Sequence, residues 1–375
     1  MSSTAAAPAK LLTVVQLIPA MHAGGAERSA LEISRALVQA GHRSVVISAG
    51  GRLVAQLLAD GGEHITLDIG RKSLLTLLRL GKLHRVLRQL RPDIVHARSR
   101  LPAWMGWWAM KGLSPRPHFI TTVHGLNSPS RYSAILLRGE RVVAVSQTLR
   151  DYVLSHYRWL EPGRVRVIPR GIDPEAFPYG HRADDGWKTS FFSEYPSLMG
   201  APLLTLPARG TRLKGHHDAI ELVADLKGRG IDTRLLLLGV IEPGREAYVA
   251  ELNELIRARG VGAQVVLTPQ RDDVRDIYAV STLILQLSNQ PESFGRTVVE
   301  ALSLCRPVLG YAHGGVGELL AELYPAGRVP PGDRERLAER AAELLRVAPP
   351  IPPLQSYRLA DMQGSTLALY QEVAG

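Results

Sequence analysis

Short apolar runs alternate with amphipathic stretches along almost all of the 375 residues. This alternation constrains the fold more than any other feature of the chain. In the first half the runs are Thr13–Ile18, Ser44–Ser48, Asp93–His96, Phe119–Val123, Arg141–Val145 and Arg164–Ile168. In the second half they are Leu203–Pro207, Arg234–Leu238, Gln264–Leu267, Leu283–Leu287 and Pro307–Gly310. Most are continuously apolar, as strands buried on both faces of a parallel sheet must be. The stretches between them have helical periodicity. Ala26, Ala30, Ile33 and Leu37 share one face before Gly41, and Ala219, Leu222, Val223 and Leu226 share another before Gly228. A βαβα order that runs twice predicts two doubly wound α/β domains, and the length suits two cores rather than one.

The alternation breaks after "VRVIPRGIDPEAFP". Residues 174–200 mix proline, glycine and aromatics and read as a hinge with an entry helix. The expected domains are therefore 1–172 and 173–355. A proline-rich linker, "VAPPIPPLQ" (347–355), leads to a helical segment, 356–375, expected to cross back onto the first domain. No solenoid period is present. No apolar run reaches the ~18 residues of a membrane span. The N-terminus has too short an apolar stretch, and too late a lysine, for a signal peptide. The single cysteine, Cys305, excludes an intramolecular disulfide, fits a reducing compartment and reads as a small core residue. A net charge of +10 attracts anions, whether nucleic acid, lipid headgroups or a phosphorylated substrate.

Parallel α/β sheets bind ligands beyond the carboxyl ends of their strands, so the residues that follow strands carry the functional argument. In "IPAMHAGGAERSALEI" (18–33) a Gly-Gly turn opens a helix whose first amides, at Gly24 and Gly25, suit a phosphate. The spacing is neither a dinucleotide fingerprint nor a Walker loop, and a plain turn explains it equally well. In "LPARGTRLKGHHD" (206–218) Arg209 and Lys214 stand five apart, placed to neutralise a diphosphate from two sides; Arg212 is a third cation. In "PESFGRTVVEALSLCRP" (291–307) Glu292 falls in a loop and a helix begins near Gly295 or Arg296. Glu300 then lies about one turn inside it. Eight residues along one helix would leave the two acids roughly 80° apart. With Glu292 in the loop, both can reach one ligand. Carboxylates accept hydrogen bonds from vicinal hydroxyls, and the helix mouth at Phe294–Arg296 offers amides to phosphate. The "YAHGGVGELL" stretch (311–320) opens another helix with Gly314–Gly315 and places Glu318 in its first turn. His124, in "FITTVHGLN", follows a strand of the first domain directly. A lone histidine is more often structural, but its place at a strand's carboxyl end argues for function.

Taken together, these stretches resemble glycosyltransferase family 4, the retaining group with the GT-B fold, over nearly the whole chain. "PESFGRTVVEALSLCRPVLGYAHGGVGELL" is similar to that family's paired-glutamate element, and "PARGTRLKGH" to its phosphate-binding arginine and lysine. "MHAGGAERSALEI", "TTVHG", "VVAVSQTLRDYV" and "VIPRGID" follow in the expected order. "HARSRLPAW" (96–104) ahead of "TTVHG" is similar, more narrowly, to enzymes of lipopolysaccharide and surface-glycan assembly. The resemblance implies two Rossmann-like domains facing each other across a cleft, with a nucleotide-sugar donor held mainly by the second. Arg209 and Lys214 would meet the diphosphate, and Glu300 the ribose. Glu292 and amides around Phe294, Gly295 and Arg296 would bind the donor sugar. Gly24 and Gly25 would close over the phosphates, and His124 would touch the donor sugar near the acceptor. The resemblance implies no metal and no other cofactor, and no Asp-x-Asp pair stands at a strand end.

Residues 71–91 carry seven Lys or Arg and no acid. Leu80, Leu83, Leu87 and Leu90 trace one face, and Arg79, Lys82, Arg85, Arg88 and Arg91 a neighbouring one. Two readings stand: an ordinary helix with a solvated basic side, or one that docks on anionic headgroups or a phosphorylated glycolipid. The tryptophans of "LPAWMGWWAMKG" (101–112) suit an interface or a core. Arg98 and Arg100, after a strand, are candidates for an acceptor's phosphate or carboxylate. The expected protein is cytoplasmic, peripheral on the inner face of a bacterial inner membrane, and transfers a sugar to a lipopolysaccharide-type acceptor. A GT-B sugar-nucleotide epimerase is the alternative among enzymes. A basic nucleic-acid-binding protein is the alternative from another class, and the lack of a recognisable nucleic-acid module argues against nucleic acid.

Overall fold

A computed structural model describes residues 10–22, 24–73, 76 and 78–375. The chain divides into two compact units, Met1–Gly171 with Leu359–Gly375, and Ile172–Arg358.

The first unit carries strands β1 (Thr13–Leu17), β2 (Arg43–Ser48), β3 (Glu63–Thr66), β4 (Ile94–Ala97), β5 (His118–Val123), β6 (Arg141–Ala144) and β7 (Val165–Val167). They form a seven-stranded sheet in the order β3-β2-β1-β4-β5-β6-β7, and every pair is parallel. Its helices are α1 (Gly25–Gln39), α2 (Val54–Ala59), α3 (Leu80–Leu90), α4 (Arg100–Ala109) and α5 (Gln147–His156). The apolar face of α1 explains its place: Ile33 and Leu37 pack with Leu12, Val14, Ile94 and Ile120 of the sheet. Each such fully buried side chain contributes roughly 1.5–3 kcal/mol. The same cluster includes Leu359, Met362, Leu369 and Tyr370 of the last helix, Leu359–Ala374.

The second unit opens with α6 (Asp185–Glu194), inside the stretch expected to hold an entry helix. β8 (Leu203–Pro207), α7 (His216–Gly228), β9 (Arg234–Ile241), α8 (Glu246–Ala258), β10 (Val265–Pro269) and α9 (Val274–Val280) follow. The unit continues with β11 (Leu283–Gln286), α10 (Arg296–Ser303), β12 (Val308–Tyr311), α11 (Gly314–Leu323), β13 (Arg328–Val329) and α12 (Arg334–Arg346). The last helix, Leu359–Ala374, is α13. The sheet order is β10-β9-β8-β11-β12-β13, again all parallel. Helix α7 runs on through Gly228, and Gly230 takes the left-handed turn (φ 76°) instead.

Two smaller readings are corrected, those of Cys305 and Glu318. Cys305 is half-buried, in a left-handed turn (φ 61°) after α10, rather than a core residue. Glu318 lies beyond the first turn of α11, which contains no acid. The tryptophans of α4 are neither fully buried nor a bare interface. Trp104 donates Nε1–H to the Tyr132 carbonyl at 3.1 Å, and Arg116 lies 4.9 Å over Trp107. Of the basic segment 71–91, residues 74, 75 and 77 lie outside the described residues. In α3, Leu83 and Leu87 are buried while Lys82, Arg85 and Arg88 are exposed. No helix among the described residues is long and apolar enough to cross a membrane.

Candidate active site

In the second sheet β8, β11 and β12 are neighbours, so the loops at their carboxyl ends lie side by side. The loop after β8 holds Arg209, Arg212 and Lys214, the last two in a 3-10 turn. Gly215 then turns with φ 76°, and a Cβ there would sit 1.9 Å from the Leu287 carbonyl oxygen, so the chain can pass only as glycine. The two loops are stitched by Asn289, whose N–H donates to the Leu213 carbonyl at 2.9 Å and whose Nδ2 donates to the Arg212 carbonyl at 3.2 Å.

That stitching brings Lys214 to Glu292: Nζ lies 2.7 Å from Oε1, with both side chains about three-quarters buried. Ser288 Oγ–H also donates to Glu292 Oε1. His313, at the N-cap of α11, lies 2.7 Å through Nε2 from the Ser288 carbonyl, an arrangement that puts its proton on Nε2. Lys214, Glu292, Ser288 and His313 therefore form one polar chain across three loops. An ammonium has three donors, so the contact with Glu292 leaves Lys214 further hydrogen-bonding capacity.

Helix α10 begins at Arg296 with Gly295 as its cap, in agreement with the sequence reading. Glu300 is one turn in, and its Oε1 lies 3.1 Å from Arg296 Nε. The Tyr278 hydroxyl is buried beneath; burial, then the Glu300 charge, pushes its pKa well above the ordinary phenol value. Phe294 is buried and faces Tyr357 at 5.9 Å. Gly314 and Gly315 both stand close against the Glu292–Phe294 backbone. The Gly315 amide donates to the Glu292 carbonyl at 2.7 Å, and a Cβ on Gly315 would lie 2.4 Å from the Phe294 oxygen. These glycines let α11 press directly on the loop that carries the acid. Arg209 extends exposed from the β8 loop. Arg212 is drawn away, paired with Glu251 and lying 5.4 Å over Tyr248.

The first unit has its own cluster of candidates at the carboxyl ends of β1, β4, β5 and β7. Gly24 caps α1 and Gly25 begins it, while Ala23 lies outside the described residues. The Arg170 guanidinium crosses Gly25 so closely that a Cβ there would be 1.9 Å from it. Arg170 Nη2 donates to His124 Nδ1 at 3.0 Å, which places the imidazole proton on Nε2. Burial, then Arg170, Arg98 and His96, hold the His124 pKa well below its ordinary value, so the ring is neutral at pH 7. Arg98 is buried and donates Nε–H to Gln16 Oε1 at 2.7 Å. Arg100 starts α4, with Nη1 3.4 Å from Ser133 Oγ.

The sequence reading missed Ser288, His313, Gln16 and Arg170. His313 stands two residues past β12, where the rule that singled out His124 applies equally. The others are recognised only by partners that the fold supplies.

Two family models match this chain. One, Glycosyltransferase Family 4, covers residues 23–176, and the other, Glycosyl transferases group 1, covers residues 188–350. The chain belongs to glycosyltransferase family 4, and its paired parallel sheets are the GT-B fold. Among relatives, N-acetyl-alpha-D-glucosaminyl L-malate synthase of Bacillus anthracis is 23% identical over 71% of this chain and 68% of its own length. A D-inositol 3-phosphate glycosyltransferase of Xylanimonas cellulosilytica is 27% identical over 60% of this chain and 56% of its own. The matched stretches thus span roughly half to two thirds of these relatives.

Among solved structures, a glycosyltransferase from Rickettsia africae superposes with a TM-score of 0.85 at 27% identity, covering 97% of this chain and 98% of its own. HepE from Anabaena in complex with UDP-glucose (TM-score 0.79, 19% identity, 96% and 100% covered) shares the fold. So does WaaG, a glycosyltransferase involved in lipopolysaccharide biosynthesis (TM-score 0.68, 18% identity, 96% and 98% covered).

Proposed function

We propose that this protein is a retaining, metal-independent glycosyltransferase that moves one hexose-type sugar from a nucleotide-sugar donor to a lipopolysaccharide-core or related surface-glycan acceptor. One observation carries the reading: three adjacent loops bring Lys214 against Glu292 at 2.7 Å, with Glu300 one turn inside the next helix. A cation for a diphosphate and acids for flanking hydroxyls are what a nucleotide sugar requires. The likeness to a UDP-glucose complex supports the donor class, and the likeness to WaaG supports the acceptor class.

The chemistry follows from where charge develops. As the sugar leaves, its diphosphate gains negative charge, which Arg209, Lys214 and the amides at the start of α10 stabilise. Lys214 meets the phosphate while still touching Glu292, whose carboxylate turns its remaining lone pairs to the sugar. Glu300 holds the ribose hydroxyls. In the first unit Gly24 and Gly25 offer amides to an anion, and His124, neutral with its proton on Nε2, offers a hydrogen-bond donor. The acceptor hydroxyl attacks from the face the diphosphate leaves, and a departing phosphate oxygen takes its proton.

A thermal-shift screen of UDP-glucose, UDP-N-acetylglucosamine, GDP-mannose and ADP-heptose identifies the donor, because a bound ligand raises apparent stability. With that donor, Glu300→Ala and Lys214→Ala are each expected to lower kcat/KM by roughly a hundredfold or more while the chain stays folded. Wild-type turnover by either folded variant would remove the site assignment.

The basic side of α3 completes the proposal, with Lys82, Arg85 and Arg88 meeting anionic headgroups on the cytoplasmic face of the membrane. Charge reversal at Lys82 and Arg85 is expected to weaken binding to phosphatidylglycerol liposomes. Unchanged binding returns α3 to an ordinary solvated helix.

A further inference from the structure

The carboxylate of Glu292 is gripped at one oxygen only. Its Oε1 accepts from Lys214 Nζ at 2.7 Å and from the Ser288 hydroxyl. Among the described residues none donates to Oε2. A carboxylate oxygen has two lone pairs, so Oε1 has both engaged and Oε2 is the oxygen left for a ligand. The side chain is 23% exposed, enough to be reached.

The two donors differ in what a ligand can do to them. Lys214 is a cation with further N–H groups, on which an anion would draw. Ser288 has a single proton, and its acceptors are Glu292 and, at 3.4 Å, Gln286 Oε1. The charged and closer acceptor takes it. Ser288 stands two residues past β11 and is buried, so an arriving diphosphate does not compete for its hydroxyl. It is also fixed from behind. His313 Nε2 donates to the Ser288 carbonyl at 2.7 Å, and Asn289, the next residue, is tied to the β8 loop through both its N–H and its Nδ2. The backbone of Glu292 is held too, since its carbonyl accepts from the Gly315 amide at 2.7 Å.

We infer that Ser288 is a positioning residue for the donor sugar: with Lys214 it fills Oε1 of Glu292, commits Oε2 to a sugar hydroxyl, and keeps it aimed when Lys214 turns to the diphosphate. The inference rests on the donor reading above. Acting through Glu292, Ser288 governs how well the site tells a nucleotide sugar from the bare nucleoside diphosphate. It has no part in holding the phosphates. His313 supports the same aim one step further back, by fixing the Ser288 carbonyl.

The test compares two dissociation constants by isothermal titration of the full chain. One is for whichever of UDP-glucose, UDP-N-acetylglucosamine, GDP-mannose and ADP-heptose stabilises the wild type most, and the other is for the matching UDP, GDP or ADP. In Ser288→Ala the nucleotide sugar is expected to bind roughly tenfold more weakly, while the nucleoside diphosphate changes by less than about twofold. His313→Ala, which keeps the Ser288 hydroxyl but frees its carbonyl, should show a smaller loss of the same kind. Wild-type affinity for the nucleotide sugar in folded Ser288→Ala would overturn the inference. So would a parallel weakening of both ligands, the mark of a serine that only packs its loop. If Ser288→Ala does not fold, His313→Ala decides by the same two constants. If none of the four nucleotide sugars binds the wild type, the donor reading falls and takes this inference with it. If one binds and the variants discriminate as the wild type does, the inference alone falls.

Discussion

His216 follows Gly215 directly and is wholly buried, with Nδ1 3.2 Å from the Tyr248 hydroxyl. Burial pushes its pKa down to about 4. The unfolded chain takes up that proton below about 6.5, and the folded chain does so only near 4. The stability this group contributes is therefore complete above 6.5 and is lost as the pH falls towards 4. The loss is on the order of 3 kcal/mol at the bottom of that window. Urea midpoints at pH 7 and pH 4.5 check this: the drop should be smaller in His216→Gln, and an equal drop would refute it. The neighbouring Gly215→Ala meets both a left-handed φ and the Leu287 oxygen at 1.9 Å. It is expected to cost about 3 kcal/mol or more and to weaken donor binding, as read by denaturation and UDP titration. At this scale the sequence was informative about residue types and poor about partners. Lys214, Glu292 and Glu300 stood out by their place after strands. That Lys214 and Glu292 meet each other could not be read, because the contact depends on how β8 and β11 align.

Among the elements, α13 shows how a helix far along the chain becomes part of the first sheet's interior. Tyr370 is fully buried, and its hydroxyl lies 2.6 Å from His96 Nδ1, while the other ring nitrogen meets Thr122. Tyr370→Phe leaves the shape intact and strands one buried ring nitrogen, a change expected to cost about 1–3 kcal/mol in guanidinium unfolding. A change near zero would show that the contact contributes no net stability. Strand recognition succeeded where strands are central, because burial on both faces forces a continuous apolar run. It missed one edge strand of each sheet, β3 and β13, while finding the other two, β7 and β10. Strand β3, "EHIT", has no fully buried residue, and β13 is only two residues long. Edge strands need less apolar surface, so they leave little trace in a sequence.

For the whole molecule, two separate sheets follow from an alternation that any reader of the sequence can count. Family membership follows from motifs kept in a fixed order. The chain passes from the first unit to the second at Gly171–Ile172 and returns at Arg358–Leu359. These passages are adjacent: the Ile172 N–H donates to the Tyr357 carbonyl at 2.9 Å, and Ile172 bridges to Arg358. A chain ending at Arg358 lacks the helix that covers Leu12, Val14, Ile33 and Leu37. Limited proteolysis of that truncated chain is expected to destroy the first unit and leave 172–358 resistant; equal protection of both would contradict it.

The same connectivity sets an order of completion during synthesis. Residues 13–167 supply every strand of the first sheet, yet Leu359, Met362, Leu369 and Tyr370 are made only after the whole of the second unit. The second unit, continuous in sequence, can close while the earlier-made one still waits with its apolar flank uncovered. The part of the nascent protein most in need of chaperone cover is thus its oldest part, and stays so until the final turns of helix emerge.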